Sequence, residues 1–543
     1  MHKRIEASGN PSEHDDDPTV SALDPTRVLP TRMAYLARIQ TERIFLQEVS
    51  GPSLTFGECH DRMLRIAACL RQLGLQRGDR LLSFLPSSID AHLLWMGSAC
   101  AGVWEVSSNP ELRGEFLRHI LRACGARVCF ARPEHSDVLA AARAAGLQTI
   151  EVDRGLPCLL DAPAHALERY PQATDVATVI YTSGTTGPAK GVILSWAQMN
   201  TYIGRIPRSW LSDADVAYSP WPMFHVTGRT QLITMADVGG RVVLREKPSV
   251  SEFWQDVRRH GCTTSTIAPI LALLLAPPES PDDRDNPLRV CFGSTSGTHN
   301  MRCEERFGIR MVTSYGSTEL GFPIVNRDIN VHTMQYTGWL RAGYEARIVD
   351  EAGHELGPAE VGELHVRPAR REMMMVGYLD QPEATAQAIV DGWYHTGDAC
   401  VRDQHGGIRF VGRLRETIRR FGENISATAL EAVILEDDGI AECCVVGVRS
   451  EAAGQEILLL VTSARDALSV EQLYARLAER LPRHMCPAYI RVVDALPKTP
   501  TGKVNKTALA HLAGKEGAWV SPASVERHSS DPAAAAAAGS NDE

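Results

Sequence analysis

Apolar and polar positions fall into blocks along most of the chain, with short strand-like runs followed by stretches of helical spacing. Residues 176–181 form an apolar run that predicts a buried strand. A loop of glycine, serine and threonine follows, and helical spacing resumes at about Ser195. Residues 443–448 and 457–461 read as strands. Between Ser469 and Pro482 the apolar residues Val470, Leu473, Tyr474, Leu477 and Leu481 recur at helical spacing, with a serine to cap the first turn and a proline to end the last. Strands alternating with helices predict an α/β architecture with sheets that are at least partly parallel. No fixed-period repeat is present, and the last hundred residues carry strands and helices of their own, which predicts a domain boundary near residues 412–415.

The two ends break this pattern. Residues 1–25 are polar and acidic, and residues 516–543 include six consecutive alanines, so both read as disordered tails that cannot bury a core. The first twenty residues show neither a secretory nor a mitochondrial leader. The longest apolar run, residues 267–276, is about half of a bilayer span and contains a proline, so no membrane is expected.

Composition narrows the functional classes. With 543 residues and 44% hydrophobic content, the chain can build more than one core, which excludes a disordered protein, a collagen-like repeat and a disulfide-stapled miniprotein. Its 56 cations against 66 anions leave a net charge of −10, so nucleic acid is not an expected partner and small molecules are. Thirteen cysteines are scattered without a Cys-x-x-Cys pair, which predicts reduced thiols in a soluble cytoplasmic protein. Only seven of the cations are lysines, so a lysine kept inside an ordered motif marks a place where a compact ammonium is wanted.

Lys190 is such a lysine. It closes the segment Tyr181-Thr-Ser-Gly-Thr-Thr-Gly-Pro-Ala-Lys190-Gly191, where three glycines and the hydroxyls of Thr182, Ser183, Thr185 and Thr186 directly follow a predicted strand. Gly184 and Gly187 let successive backbone N–H groups turn inward, and hydroxyls add donors, which suits a polyanion. The spacing is not that of a Walker loop, so a kinase or GTPase is not supported.

This segment resembles the phosphate loop of the adenylate-forming superfamily, which includes acyl-CoA synthetases, peptide-synthetase adenylation domains and luciferases. Further matches follow in the family's order. Tyr315-Gly-Ser-Thr-Glu319 resembles the adenine-and-magnesium segment, Gly392-Trp-Tyr-His-Thr-Gly-Asp398 the ribose segment, and Gly412-Arg413-Leu-Arg415-Glu416 the hinge. Gly422-Glu-Asn424 resembles the start of the mobile C-terminal domain, and Pro497-Lys-Thr-Pro-Thr-Gly-Lys503 the loop carrying the adenylation lysine. The resemblance spans about residues 30–512. It implies a large N-terminal domain of stacked mixed sheets and helices over residues 26–412, a hinge at 413–415 and a small, mobile α+β domain over 416–515.

The resemblance also implies roles. Lys190 and the loop residues Thr182 to Gly187 would hold the phosphates of ATP. Glu319, with Thr185, would bind Mg2+. Tyr315 and Gly316 would lie along the adenine, Thr318 near the α-phosphate, and Asp398 with Arg413 on the ribose. Lys503 would neutralise the charge that builds during adenylation, Arg415 would act as the hinge, and Gly422, Glu423 and Asn424 would face coenzyme A.

Trp221-Pro-Met-Phe-His225-Val-Thr-Gly228 resembles the acyl-CoA synthetase form of the acid pocket, with Trp221, Phe224 and His225 beside the acyl group. No acid neighbours His225, which disfavours an amino-acid substrate. Gly293 and Ser294 open a Gly-Ser-Thr-Ser-Gly stretch where the family often has Gly-Gly-Ala-Pro, and Phe421 and Ala427-Thr428 depart from the usual sequence on the acceptor face. The nearest resemblance is to carnitine- and fatty-acid-CoA ligases. The expected activity is therefore activation of a non-amino-acid carboxylic acid as acyl-AMP and transfer to CoA. Two alternatives remain: loading of a carrier protein, and thioester formation from an adenylate made elsewhere.

Overall fold

The computed structural model describes residues 22–522, except 154, 157–161, 183–188, 294–296, 327–336, 415–416, 421–422, 451–453, 465–467, 482, 499–503, 507–508 and 510–516. Ser183, Gly184, Thr185, Thr186, Gly187, Ser294, Arg415, Gly422 and Lys503 therefore lie outside the described residues. The chain divides into two compact units: Met1–Arg347 with His365–His395 and Gln404–Ile408, and Ile348–Leu364 with Thr396–Asp403 and Arg409–Glu543. The polypeptide passes from one unit to the other inside the strands Tyr344–Val349, Val361–Pro368, Trp393–Arg402 and Ile408–Arg413, and once between Asp403 and Gln404.

The first unit contains two large sheets. One has seven strands in the spatial order Gly377–Tyr378, Lys190–Ser195, Val176–Thr182, Trp104–Ser107, Arg80–Phe84, Val128–Ala131 and Gln148–Glu151. Its last five strands are parallel and its first two join antiparallel. Ala177, Val179 and Ile180 are buried on a strand covered on both faces, which is why it reads as an unbroken apolar run. Val179 packs with Leu82, Val106 and the helix residues Leu117, Ile120 and Leu121.

The second sheet has nine strands. Six run parallel, from Ile44–Glu48 through Arg241–Leu244, Val216–Ser219, Thr264–Thr266 and Val290–Phe292 to Arg310–Ser317. Val216–Ser219 is followed in sequence by its neighbour on one side and then by its neighbour on the other, so strand order reverses there. Such a reversal opens a crevice beyond the carboxyl ends of the strands, where α/β proteins bind ligands. The apolar run 267–276 folds as a short turn and the helix Leu271–Leu275 inside this unit's core. Among the described residues no helix is long and apolar enough to cross a membrane.

A buried ion pair joins the two layers. Arg229, on the helix Thr227–Val238, donates to Glu105 at 2.8 Å, and the Thr178 hydroxyl donates to the same carboxylate oxygen at 2.9 Å. Arg229 also donates to the Met223 carbonyl at 2.8 Å, pinning the loop that contains Phe224 and His225.

In the second unit, Ile440–Ser450 and Gly454–Ser463 form a long antiparallel pair that contains both predicted strands. Ile457, Leu459 and Val461 pack against Leu430, Leu473 and Leu477, while Leu458 and Leu460 face Leu496 and Leu509. The period-two alternation of a strand thus serves two small cores at once. Helix Val470–Arg480 begins at Ser469, whose hydroxyl accepts from Gln472 N–H. The twelve described cysteines, in both units, are buried free thiols, and Cys158 lies outside the described residues.

Arg420 and Glu456 form a second buried ion pair at 2.5 Å, and Arg420 also donates to the Cys486 carbonyl at 2.7 Å. Removing one partner strands a charge in the interior. Arg420→Ala is therefore expected to destabilise the second unit by about 3–5 kcal/mol, seen as an earlier urea transition. The double variant Arg420→Met with Glu456→Met should recover most of that loss, and no recovery would contradict the assignment.

Candidate active site

The segment predicted to hold phosphate is flanked by two paired strands, and its residues 183–188 lie outside the described residues. Val176–Thr182 and Lys190–Ser195 run antiparallel, with Thr182 opposite Lys190 and Tyr181 opposite Gly191. The helix predicted to begin at Ser195 is the short Trp196–Asn200, and a strand stands between it and the loop. His119, from the helix Gly114–Ala123, contacts the Ala189 carbonyl at 2.9 Å and meets the Tyr181 ring edge-on.

The hairpin places Lys190 beside a tyrosine. Gly377–Tyr378 pairs with Lys190–Ser195, and the Lys190 ammonium lies 4.7 Å from the centroid of the Tyr378 ring. The Tyr378 hydroxyl donates to Glu319 Oε1 at 3.2 Å. Burial, and then the Glu319 charge, push the Tyr378 phenol above its ordinary pKa, so it is a proton donor at neutral pH. Tyr394 bonds to both Tyr378 and Ser317 and is raised for the same two reasons. Lys190 makes no ion pair among the described residues.

The backbone of Glu319 is clamped. Its carbonyl accepts from Met375 N–H at 2.7 Å and from the buried Gln198 side chain at 3.3 Å, and Gln198 also donates to the Thr318 carbonyl at 2.8 Å. Tyr315 is buried at the end of the sheet. The hairpin that carries these residues requires Gly316, because a Cβ there would lie 1.8 Å from the Gly321 carbonyl oxygen. Glu319 is half-buried, and no hydrogen bond to its second oxygen occurs among the described residues. One carboxylate with an oxygen to spare suits magnesium, which takes one or two protein carboxylates and completes its shell with phosphate and water.

Trp221, Phe224 and Gly293 lie at the carboxyl edge of the nine-stranded sheet. Trp221 Nε1 donates to the Thr266 carbonyl at 2.8 Å, spanning the crevice where strand order reverses. Phe224 is buried and its ring meets the half-buried His225 at 4.7 Å. Gly293 follows the strand Val290–Phe292, and a Cβ there would meet Asn300 Oδ1 at 2.1 Å, so a larger residue would displace the Asn300 side chain.

In the second unit, Asp398 is nearly buried and pairs with Arg413 at 2.9 Å. Glu423 and Asn424 lie on the strand Glu423–Ser426, opposite Arg420 and Arg419. Lys498 and Lys506 flank the loop that contains Lys503, and each is paired with a carboxylate, Lys498 with Glu442 and Lys506 with Glu431 at 3.0 Å.

Tyr378, Gln198 and His119 join the site without any sequence signal, while Tyr394 belongs to the segment that resembles the ribose motif, in which Asp398 is the residue singled out. Each of the first three reaches it from a distant segment whose position only the sheet order determines. Arg229 acts behind the site in the same way.

A glycine-rich segment between paired strands, an ammonium without an ion pair among the described residues and a clamped carboxylate beside parallel sheets define an α/β enzyme that handles a nucleotide. The chain belongs to the AMP-binding enzyme family. That family's sequence model matches residues 35–379, and the model for the AMP-binding enzyme C-terminal domain matches residues 429–503. Among similar proteins, a sulfoacetate–CoA ligase from Cupriavidus necator is 30% identical over 86% of this chain and 93% of its own length. A crotonobetaine/carnitine–CoA ligase from Salmonella paratyphi B is 28% identical over 84% and 92%. The solved structure of a benzoate CoA ligase from Burkholderia xenovorans LB400 is 26% identical, with a TM-score of 0.78 over 88% of this chain and 99% of that one.

Tyr378→Phe keeps the ring under Lys190 but removes the hydrogen bond to Glu319. It is expected to weaken ATP binding in the presence of magnesium about tenfold, the cost of a hydrogen bond to a charged group. Tyr378→Leu should weaken it further. Calorimetric titration that finds both variants equal to wild type would contradict the geometry's importance.

Proposed function

We propose that this chain is an ATP-dependent, AMP-forming acyl-CoA ligase acting on a non-amino-acid carboxylic acid. In the first step a carboxylate oxygen attacks the α-phosphorus of ATP and pyrophosphate leaves. In the second, the CoA sulfur attacks the acyl carbon and AMP leaves. The observation that carries this reading is the placement of Lys190 and Glu319 on one tyrosine, a cation and an anion held side by side without pairing.

Each residue has a physical task. Lys190 and the loop from Thr182 to Gly187 would take the outer phosphates. Glu319, with Thr185, would hold magnesium, which when bound neutralises phosphate charge. Tyr315, Gly316 and Thr318 would border the adenine and the α-phosphate, and Asp398 with Arg413 would grip the ribose hydroxyls. Lys503 would bring an ammonium to the oxygens where charge grows. Its neighbours' pairing with Glu442 and Glu431 supports a loop anchored at its base. Residues 416–515 would turn about the hinge at 413–415, Arg415 absorbing the change, and bring Gly422, Glu423 and Asn424 to CoA. Trp221, Phe224, His225, Gly293 and Ser294 would line the acyl pocket.

The relatives' names favour CoA over a carrier protein as acceptor. They include a sulfonated acid, a quaternary-ammonium acid and an aromatic acid, so names alone do not select the substrate. The buried reduced thiols support a cytoplasmic location.

A panel of carboxylic acids incubated with ATP, magnesium and CoA tests the reading, with pyrophosphate and thioester measured separately. Both products from one acid are expected. Pyrophosphate without thioester would point to a carrier protein, and thioester only from a supplied acyl-adenylate would point to a split pathway. Lys503→Ala should lower acyl-adenylate formation by at least about 100-fold, the scale of losing one charge-stabilising donor. It should leave thioester formation from supplied acyl-adenylate within about threefold of wild type. Equal loss in both steps would overturn its role.

A further inference from the structure

Arg205 is an arginine in the interior with no counter-ion among the described residues. It is 4% exposed, and its Nη2 has no hydrogen-bond partner among the described residues. Nε reaches only the Tyr202 carbonyl, at 3.4 Å. The guanidinium is sandwiched by aromatic rings instead, 4.1 Å from the centroid of Phe292, 4.5 Å from Phe322 and 5.6 Å from Tyr202. Arg229, as deeply buried in the first unit, pairs with Glu105, whereas the neighbouring buried Arg341 donates to the Thr201 and Ile203 carbonyls. A cation taken out of water without a carboxylate beside it is costly, and the open guanidinium suits an anion from outside the chain.

Its position says which anion. Phe292 immediately precedes Gly293, in the loop proposed to floor the acyl pocket. Phe322 lies on the strand Gly321–Asn326, which returns directly from Glu319. Tyr202 packs edge-on against Phe322, and its phenol feels the charge of both Arg205 and Glu319. The guanidinium thus lies between the proposed acyl loop and the proposed magnesium ligand, on the nine-stranded sheet rather than at the phosphate hairpin. Burial pushes its pKa down to about 9, with no carboxylate to offset the effect, so it remains charged at neutral pH.

We propose that Arg205 selects carboxylic acids that carry a second, distal anionic group, a carboxylate or a sulfonate, by pairing with that group at the inner end of the acyl pocket. The inference rests on the ligase reading and narrows it to one substrate class. Arginine suits the task because its planar fork matches a two-oxygen face and its charge survives desolvation. The aromatic rings hold the guanidinium in place without neutralising it.

The test compares wild type, Arg205→Met and Arg205→Lys on acetate, butyrate and benzoate against malonate, succinate and sulfoacetate, with pyrophosphate release as the readout. Wild type should favour at least one acid of the second group over all of the first by about 100-fold or more in kcat/KM. Which of the three leads distinguishes a carboxylate tail from a sulfonate. Arg205→Met should lose that preference mainly through a raised KM for the acid, leave KM for ATP unchanged, and show an equal or higher Tm. Arg205→Lys should retain part of the preference. Equal wild-type use of both groups would overturn the inference and leave the ligase intact. A uniform loss on every acid with a lowered Tm would make Arg205 structural, which also overturns it. No pyrophosphate from any acid would overturn the ligase reading and the inference together.

Discussion

Two opposite charges, the Lys190 ammonium and the Glu319 carboxylate, are held on one tyrosine without forming an ion pair. Elsewhere in the interior Arg229 pairs with Glu105 and Arg420 with Glu456. A direct pair at the site would satisfy both charges and leave nothing for a phosphate chain or its metal. The Tyr378 ring accepts the ammonium on its face and gives its hydroxyl to the carboxylate. A cation–π contact is worth about 0.5–2 kcal/mol, so it positions the ammonium and yields it readily to a polyanion. The rest of the first unit serves to keep that ring in place.

The sheet order performs this task. Tyr378 arrives on a two-residue edge strand that pairs with Lys190–Ser195, and Glu319 arrives from the other sheet on a hairpin that only glycine at 316 permits. Gln198 and Met375 clamp the backbone at Glu319, and the Glu105–Arg229 pair joins the layers and fixes the loop before His225. Arg205 repeats the principle: a cation held by rings where a carboxylate would have cancelled it.

Much of the fold was legible in periodicity. The strands at 443–448 and 457–461 and the capped helix after Ser469 stand where apolar spacing places them, because each buries one or both faces in a small core. The strand Lys190–Ser195 was not, since its alternation is short and the loop before it masks its start. At the site, Lys190 and Glu319 were legible from motif chemistry and the scarcity of lysine. Tyr378 and Arg205 were not, because a tyrosine after a glycine, or one arginine among forty-nine, carries no local mark. Their meaning comes from what the fold places beside them.

A double-mutant cycle on ATP affinity, measured by calorimetry at saturating magnesium with Lys190→Met, Glu319→Gln and the double variant, tests the central claim most directly. If both side chains act on one phosphate chain, each single change weakens binding and the effects are non-additive by at least about 1 kcal/mol. Additivity within about 0.5 kcal/mol would show that the two residues act independently and would contradict the account.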